Sequence, residues 1–299
     1  GHVRVRVQAA SVNPLDWHTI RGTPRVMRLD TGLRKPKQTR LGVDFAGTVE
    51  AVGDGVTRFE VGEEVFGGRS GAFAEYLLVP QDRAIARKPP DLTFEQAASI
   101  GIAATTALQA VRDKGQVGPG TKILVNGASG GVGTYAVQIA KALGAEVTGV
   151  CSGRNADMVR RLGADRVIDY TQDDYTGGDV RYDVIVDNVG NRSLGENRRV
   201  LTANGRYVLI GGGGPSDHPW LGPLPAVLGA SLTSLFASQH LGMMLAELNP
   251  ADLATLAAWM QDGKLTAALD RSYRFEQLPE ALAYLEKGRA RGKVVVTLP

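Results

Sequence analysis

Lys122-Ile123-Leu124-Val125-Asn126-Gly127-Ala128-Ser129-Gly130-Gly131-Val132-Gly133 carries a run of β-forming residues straight into a glycine-rich turn. Beyond it Val132, Tyr135, Ala136, Ile139, Ala140 and Leu143 recur at helical spacing as one apolar stripe, and Gly144 supplies a stop. Strand, glycine turn and amphipathic helix together form the unit that cradles a dinucleotide pyrophosphate. Such a turn needs a tight bend, then a residue whose backbone can meet the phosphates, then a small residue where helix and strand close together. Gly130 and Gly133 fill the second and third roles, and Ala128 stands where the first glycine usually falls. Ser129, Gly130, Gly131, Val132 and Gly133 are therefore expected to receive the pyrophosphate.

Working outward, Glu146–Val150, Arg166–Tyr170, Asp183–Val189 and Arg206–Ile210 read as further strands alternating with helical patterns, which predicts βαβ units and a parallel sheet. Before about Pro90 the signals are short β runs separated by glycine, beginning with the alternation Val3-Arg4-Val5-Arg6-Val7. Asn249 and Pro250 open a helix that Gly263 ends, and strand character returns at Arg271–Phe275 and Lys293–Leu298 around a helix from about Leu278 to Lys287. The predicted class is α/β. A doubly wound Rossmann domain, residues 93–265, is inserted into a β domain made of residues 1–92 and 266–299.

The nucleotide preference is read at the end of the second strand. NAD sites place an acid there for the ribose 2′-hydroxyl, whereas a 2′-phosphate needs a cation. This chain offers Cys151, Ser152, Gly153, Arg154 and Asn155, with no acid at the tip. Ser152, Arg154 and Asn155 are accordingly assigned to the adenosine end, and NADPH is expected over NADH. Charge-assisted bonds of about 1.5–3 kcal/mol correspond to roughly a ten- to hundredfold preference.

Composition narrows the function. The 299 residues carry 38 glycines and 14 prolines, with 43% hydrophobic and 22% charged residues, as an ordinary globular ligand-binding protein does. The formal charge is +3 without a run of like charges, so neither nucleic acid nor a membrane surface is an expected partner. The lone Cys151 cannot form an internal disulfide or, by itself, a zinc site, and no metal is expected. A cytoplasmic protein acting on a small molecule is the expectation. The opening Gly1-His2, running directly into a strand, is expected to be preceded by further strands of the same domain.

Several segments in order along the chain resemble the medium-chain dehydrogenase/reductase superfamily and, within it, the zinc-independent quinone oxidoreductase branch. They are Ala9-Ala10-Ser11-Val12-Asn13-Pro14-Leu15-Asp16, Gly42-Val43-Asp44-Phe45-Ala46-Gly47, Gly71-Ala72-Phe73-Ala74-Glu75-Tyr76, the glycine turn, Val167-Ile168-Asp169-Tyr170, Asp187-Asn188-Val189-Gly190 and Gly292-Lys293-Val294-Val295-Val296. The resemblance implies a chaperonin-10-like β-barrel built from both chain ends around the Rossmann domain, and a homodimer. It places Asn13 and Asp44 in the neighbourhoods where zinc-dependent members hold their catalytic metal. It also carries Thr106 toward the nicotinamide, Tyr170 toward the adenosine, and Asn188, Gly211 and Gly212 to loops over the ribose and nicotinamide.

Without a Lewis acid, alcohol oxidation is hard, whereas a quinone or α,β-unsaturated carbonyl accepts hydride with help from a few hydrogen-bond donors. The expected activity is NADPH-dependent reduction of such a substrate. Asn13, His18 and Asp44 are the candidate catalytic residues, although related quinone reductases commonly carry tyrosine near the His18 position. Lys293 is expected to reach the cofactor phosphates as a point charge. Competing readings are a zinc-independent alcohol dehydrogenase or enoyl-thioester reductase of the same superfamily, and an NADPH-binding sensor or structural protein with little turnover. The apolar set Trp220, Leu221, Leu224, Leu228, Leu232, Leu235 and Phe236 is expected to line a pocket or a subunit interface.

Overall fold

The computed structural model describes residues 1–23, 25–34, 37, 39–210 and 238–299. The chain divides into two compact units, Gly1–Arg21 with Pro36–Thr105 and Ala246–Pro299, and Gly22–Lys35 with Thr106–Leu245. Among the described residues no helix is long and apolar enough to cross a membrane.

The first unit opens with β1 (His2–Val12), whose side chains alternate out and in through Val7 and are mostly buried from there on. The helices α1 (Pro14–Arg21) and α2 (Arg28–Thr31) follow, then β2 (Asp44–Val52), β3 (Glu64–Gly68), β4 (Tyr76–Pro80) and β5 (Ile85–Arg87). β1 is the hub. One edge pairs with β2 along its length, with register shifts at Arg4/Val5 and Val7/Ala9. Gly47 lies opposite the second shift, where an added Cβ would come within 2.1 Å of the Arg6 carbonyl, so close backbone approach requires glycine there. Val3, Val5, Val7, Phe45, Val49, Val65 and Ile85 form the core beneath the sheet. A fully buried side chain of this kind contributes about 1.5–3 kcal/mol.

Two helices, α3 (Phe94–Ala98) and α4 (Gly101–Leu108), complete this part of the chain. Thr93 caps α3 through a reciprocal pair of bonds with Gln96.

In the second unit β6 (Lys122–Asn126), α5 (Gly131–Ala142), β7 (Glu146–Cys151), α6 (Ala156–Arg161), β8 (Arg166–Asp169), β9 (Tyr182–Asp187), α7 (Leu194–Arg199), β10 (Leu201–Leu209) and β11 (His240–Met243) follow in chain order. The six strands run parallel in the order β11-β10-β9-β6-β7-β8. Strand order reverses between β6 and β9, and ligands of such sheets bind outside the carboxyl ends at that point. The predicted strands and the helix after the glycine turn are all present, their ends moved by a few residues.

The chain ends in the first unit with α8 (Pro250–Gln261), β12 (Leu269–Arg274), α9 (Leu278–Glu286) and β13 (Lys293–Thr297). Asn249 caps α8 by accepting from the Asp252 N–H at 2.8 Å. β13 pairs with the second half of β1, from Ala9 to Val12, while β4 pairs with the first half, from His2 to Arg6. The division between units differs from the expected boundaries at 92/93 and 265/266. It falls inside α4 and again between Leu245 and Ala246, so that α8 and the segment before it belong to the β unit. The physical reason is packing: the Leu248 side chain fills the space that a Cβ on Gly68 of β3 would need, and α8 packs on β5.

The tightest point in the second unit is Gly133, where an added Cβ would lie 2.1 Å from the Gly127 carbonyl oxygen. Neither group can move without opening the turn. Gly133→Ala is therefore expected to destabilise the protein by about 1–3 kcal/mol, measured as a lower urea midpoint with an unchanged slope.

Candidate active site

At the carboxyl end of β6 the chain turns through Gly127 in the left-handed region, φ 75°. A Cβ there would meet Val189 at 2.8 Å. The tight bend expected at Ala128 is thus made by Gly127, one residue earlier. Ala128 is fully buried, and a Cβ on Gly149 of β7 would lie 3.1 Å from its own Cβ. Gly130 caps α5 without a side-chain bond, its N–H donating to the Gly127 carbonyl at 3.0 Å. Gly131 and Val132 begin the helix, so unpaired first-turn N–H groups stand at the turn, the arrangement that attracts phosphate.

The switch point is pinned from below. Asp187, fully buried, accepts from Asn126 Nδ2 at 2.9 Å and from the N–H groups of Val189 and Gly190, each at 2.9 Å. Its other oxygen accepts from the Tyr207 hydroxyl at 2.8 Å. Burial, reinforced by Asp187, pushes the Tyr207 phenol far above its ordinary range, so it stays protonated and donates to that carboxylate. Asn188 donates to the Asn126 carbonyl at 2.8 Å.

On the other flank of the turn, β7 ends at Cys151, whose thiol burial pushes up to about 11. Ser152 and Arg154 follow, the first half-buried and the second exposed. Asn155 is 4% exposed and donates from Nδ2 to Ser129 Oγ at 3.0 Å. Tyr170, after β8, is exposed, and Thr106 is buried in α4. Gly211 and Gly212, together with the apolar set from Trp220 to Phe236, lie outside the described residues.

Two buried side-chain oxygens on this face have no hydrogen-bond partner: Asn155 Oδ1 and Asn188 Oδ1. Buried acceptors are normally satisfied. A glycine turn with open N–H groups, bordered by two acceptors awaiting donors, fits a dinucleotide. Ser129 to Gly133 would hold the pyrophosphate, Ser152, Arg154 and Asn155 the adenosine end, and Asn188 the nicotinamide end.

The other candidate residues form a buried cluster in the first unit. Asp44 is fully buried; Oδ2 accepts from Ser11 Oγ at 2.7 Å and Asn13 Nδ2 at 2.9 Å, and Oδ1 accepts from the Ile102 N–H at 2.7 Å. The Lys293 ammonium, 3% exposed, donates to Asn13 Oδ1 at 2.6 Å and pairs with Asp44 at 3.6 Å. Burial lowers the Lys293 pKa, and the Asp44 charge works against that. This placement departs from the sequence expectations. Lys293 is not a strand-end cation for cofactor phosphates, because β13 turns it into the unit. Both Asn13 amide protons are engaged, on Ser11 O and Asp44, rather than offered outward. Asp44 is likewise held within the cluster, away from solvent.

His18 sits half-buried on α1, stacked on Trp17 with ring centroids 3.6 Å apart. It lies near Glu286 of α9, whose carboxyl the Arg21 hydrogen bond, with the His18 charge, holds below its usual range. Sequence reasoning missed Gly127, Ser11, Asp187 and Tyr207 as parts of these networks. Polar residues at the carboxyl ends of otherwise apolar strands were the available signal.

Comparison with known proteins supplies the family. Residues 1–90 match the alcohol dehydrogenase GroES-like domain, and residues 162–296 match the zinc-binding dehydrogenase family. A mitochondrial NAD(P)H oxidoreductase of Mus musculus is 33% identical over 99% of this chain and 81% of its own length. The chain belongs to the medium-chain dehydrogenase/reductase superfamily. A trans-enoyl reductase of Aspergillus terreus is also 33% identical, over 99% of this chain and 86% of its own. The quinone oxidoreductase of Coxiella burnetii superposes with a TM-score of 0.86 at 28% identity, over 100% of this chain and 90% of that one. This superfamily member is therefore an oxidoreductase with a nicotinamide cofactor, its parallel sheet Rossmann-like and its β unit GroES-like.

Asp16 adds a titration to the buried cluster. Its carboxyl, pushed up to about 6 mainly by burial, accepts from the N–H groups of Asn13 at 2.8 Å and Gly42 at 3.1 Å, with Asp44 raising and Lys293 lowering it. A folded-state pKa above that of the unfolded chain means that its stabilising contribution is complete below about pH 4 and is lost as pH rises through 6. Asp16→Asn cannot ionise. Relative to wild type its unfolding free energy is expected to rise by on the order of 1–3 kcal/mol between pH 4 and pH 7, measured by urea titration at each pH; a flat difference would contradict this assignment.

Proposed function

We propose that this protein reduces a quinone or an α,β-unsaturated carbonyl by hydride transfer from NADPH, without zinc. The observation that carries the reading is the buried ammonium of Lys293. The positions that the resemblance aligns with the metal neighbourhoods hold Asn13 and Asp44, and both are committed to that ammonium. A cation already neutralises the carboxylate there, and the amide oxygen accepts from that same ammonium. A substrate that can accept hydride with hydrogen-bond help alone suits such a site.

When bound, the reduced nicotinamide supplies the hydride. The chain's own share is to hold and orient the reactants. The glycine turn fixes the pyrophosphate, and Asn188, anchored through Asn126, presents an acceptor at the strand ends. Arg154 and Ser152 favour the 2′-phosphate. An imidazole can donate in either protonation state, which makes His18 the candidate donor to the substrate oxygen that gains negative charge, and Asp16 positions the α1 loop by accepting from Asn13 and Gly42. The named relatives, an NAD(P)H oxidoreductase and a trans-enoyl reductase, act in the same broad chemistry. On this reading the enzyme is a cytoplasmic homodimer working on a small molecule, and its modest charge gives nucleic acid or an anionic membrane little to bind.

The purified chain, mixed with NADPH and a panel of benzoquinones and enones, should oxidise the nucleotide, followed by its absorbance, equally well with and without a zinc chelator. NADPH should bind at least about tenfold more tightly than NADH, and Arg154→Ala should remove most of that preference. Loss of turnover with chelator, or binding without turnover anywhere on the panel, would overturn the reading.

A further inference from the structure

We infer that the amino end of the parallel sheet, at the far end of β6 from the glycine turn, carries a binding site for a free α-amino acid, with Arg206 holding its carboxylate and Asp183 its ammonium. This site does not depend on the reaction proposed above.

Three local irregularities meet there. Before β6 the chain makes a wide π turn over Gln109–Lys114, closed by the Gly115 N–H donating to the Ala110 carbonyl at 2.8 Å. Gly115 has to be glycine, because an added Cβ would lie 2.8 Å from the Val111 carbonyl oxygen and 3.1 Å from Val184. Gln116 follows at φ 52°, the one non-glycine residue in the left-handed region among the described residues. In β10, Thr202 to Gly205 stand opposite Asp183 alone, since Leu201 pairs with Tyr182 and Arg206 already with Val184. Each such feature interrupts regular hydrogen bonding or strains the backbone, and proteins keep them where they shape a site.

Together they border an open cavity of about 410 Å³, lined in part by Gln116, Thr121, Asp183, Thr202, Asn204 and Arg206. That volume is in the range of small-molecule sites. The two charges facing it are held in place without being neutralised. Arg206 donates from Nη2 to the neutral amide oxygen of Gln116, which leaves Nε and Nη1 for a planar carboxylate. Asp183 accepts from the Lys122 N–H at 3.0 Å and from Thr202 Oγ1 at 3.3 Å. Neither is paired with an opposite charge among the described residues. A simple anion entering the cavity would be repelled by Asp183 and a simple cation by Arg206, whereas a zwitterion meets both with attraction. The left-handed backbone of Gln116 then has a purpose, setting its amide oxygen against the guanidinium. Asn204 and the Thr121 hydroxyl, which accepts from the Gly118 N–H at 3.1 Å and keeps its own proton, remain for a polar side chain on the ligand.

The test screens the standard amino acids against the full chain by thermal shift and measures Kd by calorimetry for those that stabilise it. At least one should bind, and its analogues lacking the α-amino group or the carboxylate should bind at least about tenfold more weakly. R206M should lose the preference over the amine analogue and D183N the preference over the deaminated acid, so that each substitution and the matching deletion coincide rather than add. Q116G relieves the left-handed residue and should weaken amino acid binding without lowering the urea midpoint. No binding of any amino acid at millimolar concentration, equal binding of an amino acid and its singly charged analogues, or displacement of the amino acid by NADPH overturns the inference, the last because it would put the ligand at the dinucleotide turn. These comparisons use wild type alone, so they decide even if a variant folds poorly. Failure of NADPH to bind would remove the cofactor reading and leave this site standing.

Discussion

A lysine ammonium taken out of water needs a carboxylate and a further acceptor, and the first unit is organised around meeting that need. Lys293 comes from β13, Asp44 from the start of β2, and Asn13 from the residue between β1 and α1. The same carboxylate accepts from the backbone of Ile102 at the start of α4, and Gly101 must be glycine because a Cβ would meet Asp44 Oδ1 at 2.2 Å. Segments far apart in sequence are thus locked at one buried point. Removing either partner would leave an uncompensated charge, which costs about 3–5 kcal/mol.

The second unit solves a different problem, holding two adjacent strand ends rigid where the sheet order reverses. Asp187 collects donors from β6, from its own following loop and from β10, so the backbone beside the glycine turn is preset. A ligand then meets N–H groups already in place, and less of its binding free energy goes into ordering the protein.

Much of this was legible in the residues. The apolar stripe from Val132 to Leu143 and the alternation of strands with helices specify the parallel sheet, because periodicity depends on local sequence alone. Asn249-Pro250 carries its cap openly. Side-chain direction was not legible. Lys293 lies in a run of valines, and whether its ammonium points in or out depends on pairing with β1, some 280 residues away in sequence. The left-handed bend at Gly127 rather than Ala128 was hidden for a related reason. The family spacing marks where glycines fall, whereas φ depends on how β6 and β9 meet above Asn126. The boundary after Leu245 was missed because Leu248 fills the gap over Gly68, a contact between segments that no local pattern announces.

The sharing of β1 between β4 and β13 also bears on how the chain reaches its fold. β4 arrives within the first 80 residues, but β13 completes the other half of that edge only at residues 293–297. Loop closure over so long a span is entropically costly and makes such pairings slow. During synthesis the contiguous parallel sheet, residues 122–243, would be made while half of β1 still lacks its neighbour. That bare edge, ending in Ala9-Ala10-Ser11-Val12, is a template for pairing with another nascent chain. The order of synthesis thus keeps that half-edge open until residues 293–297 are made.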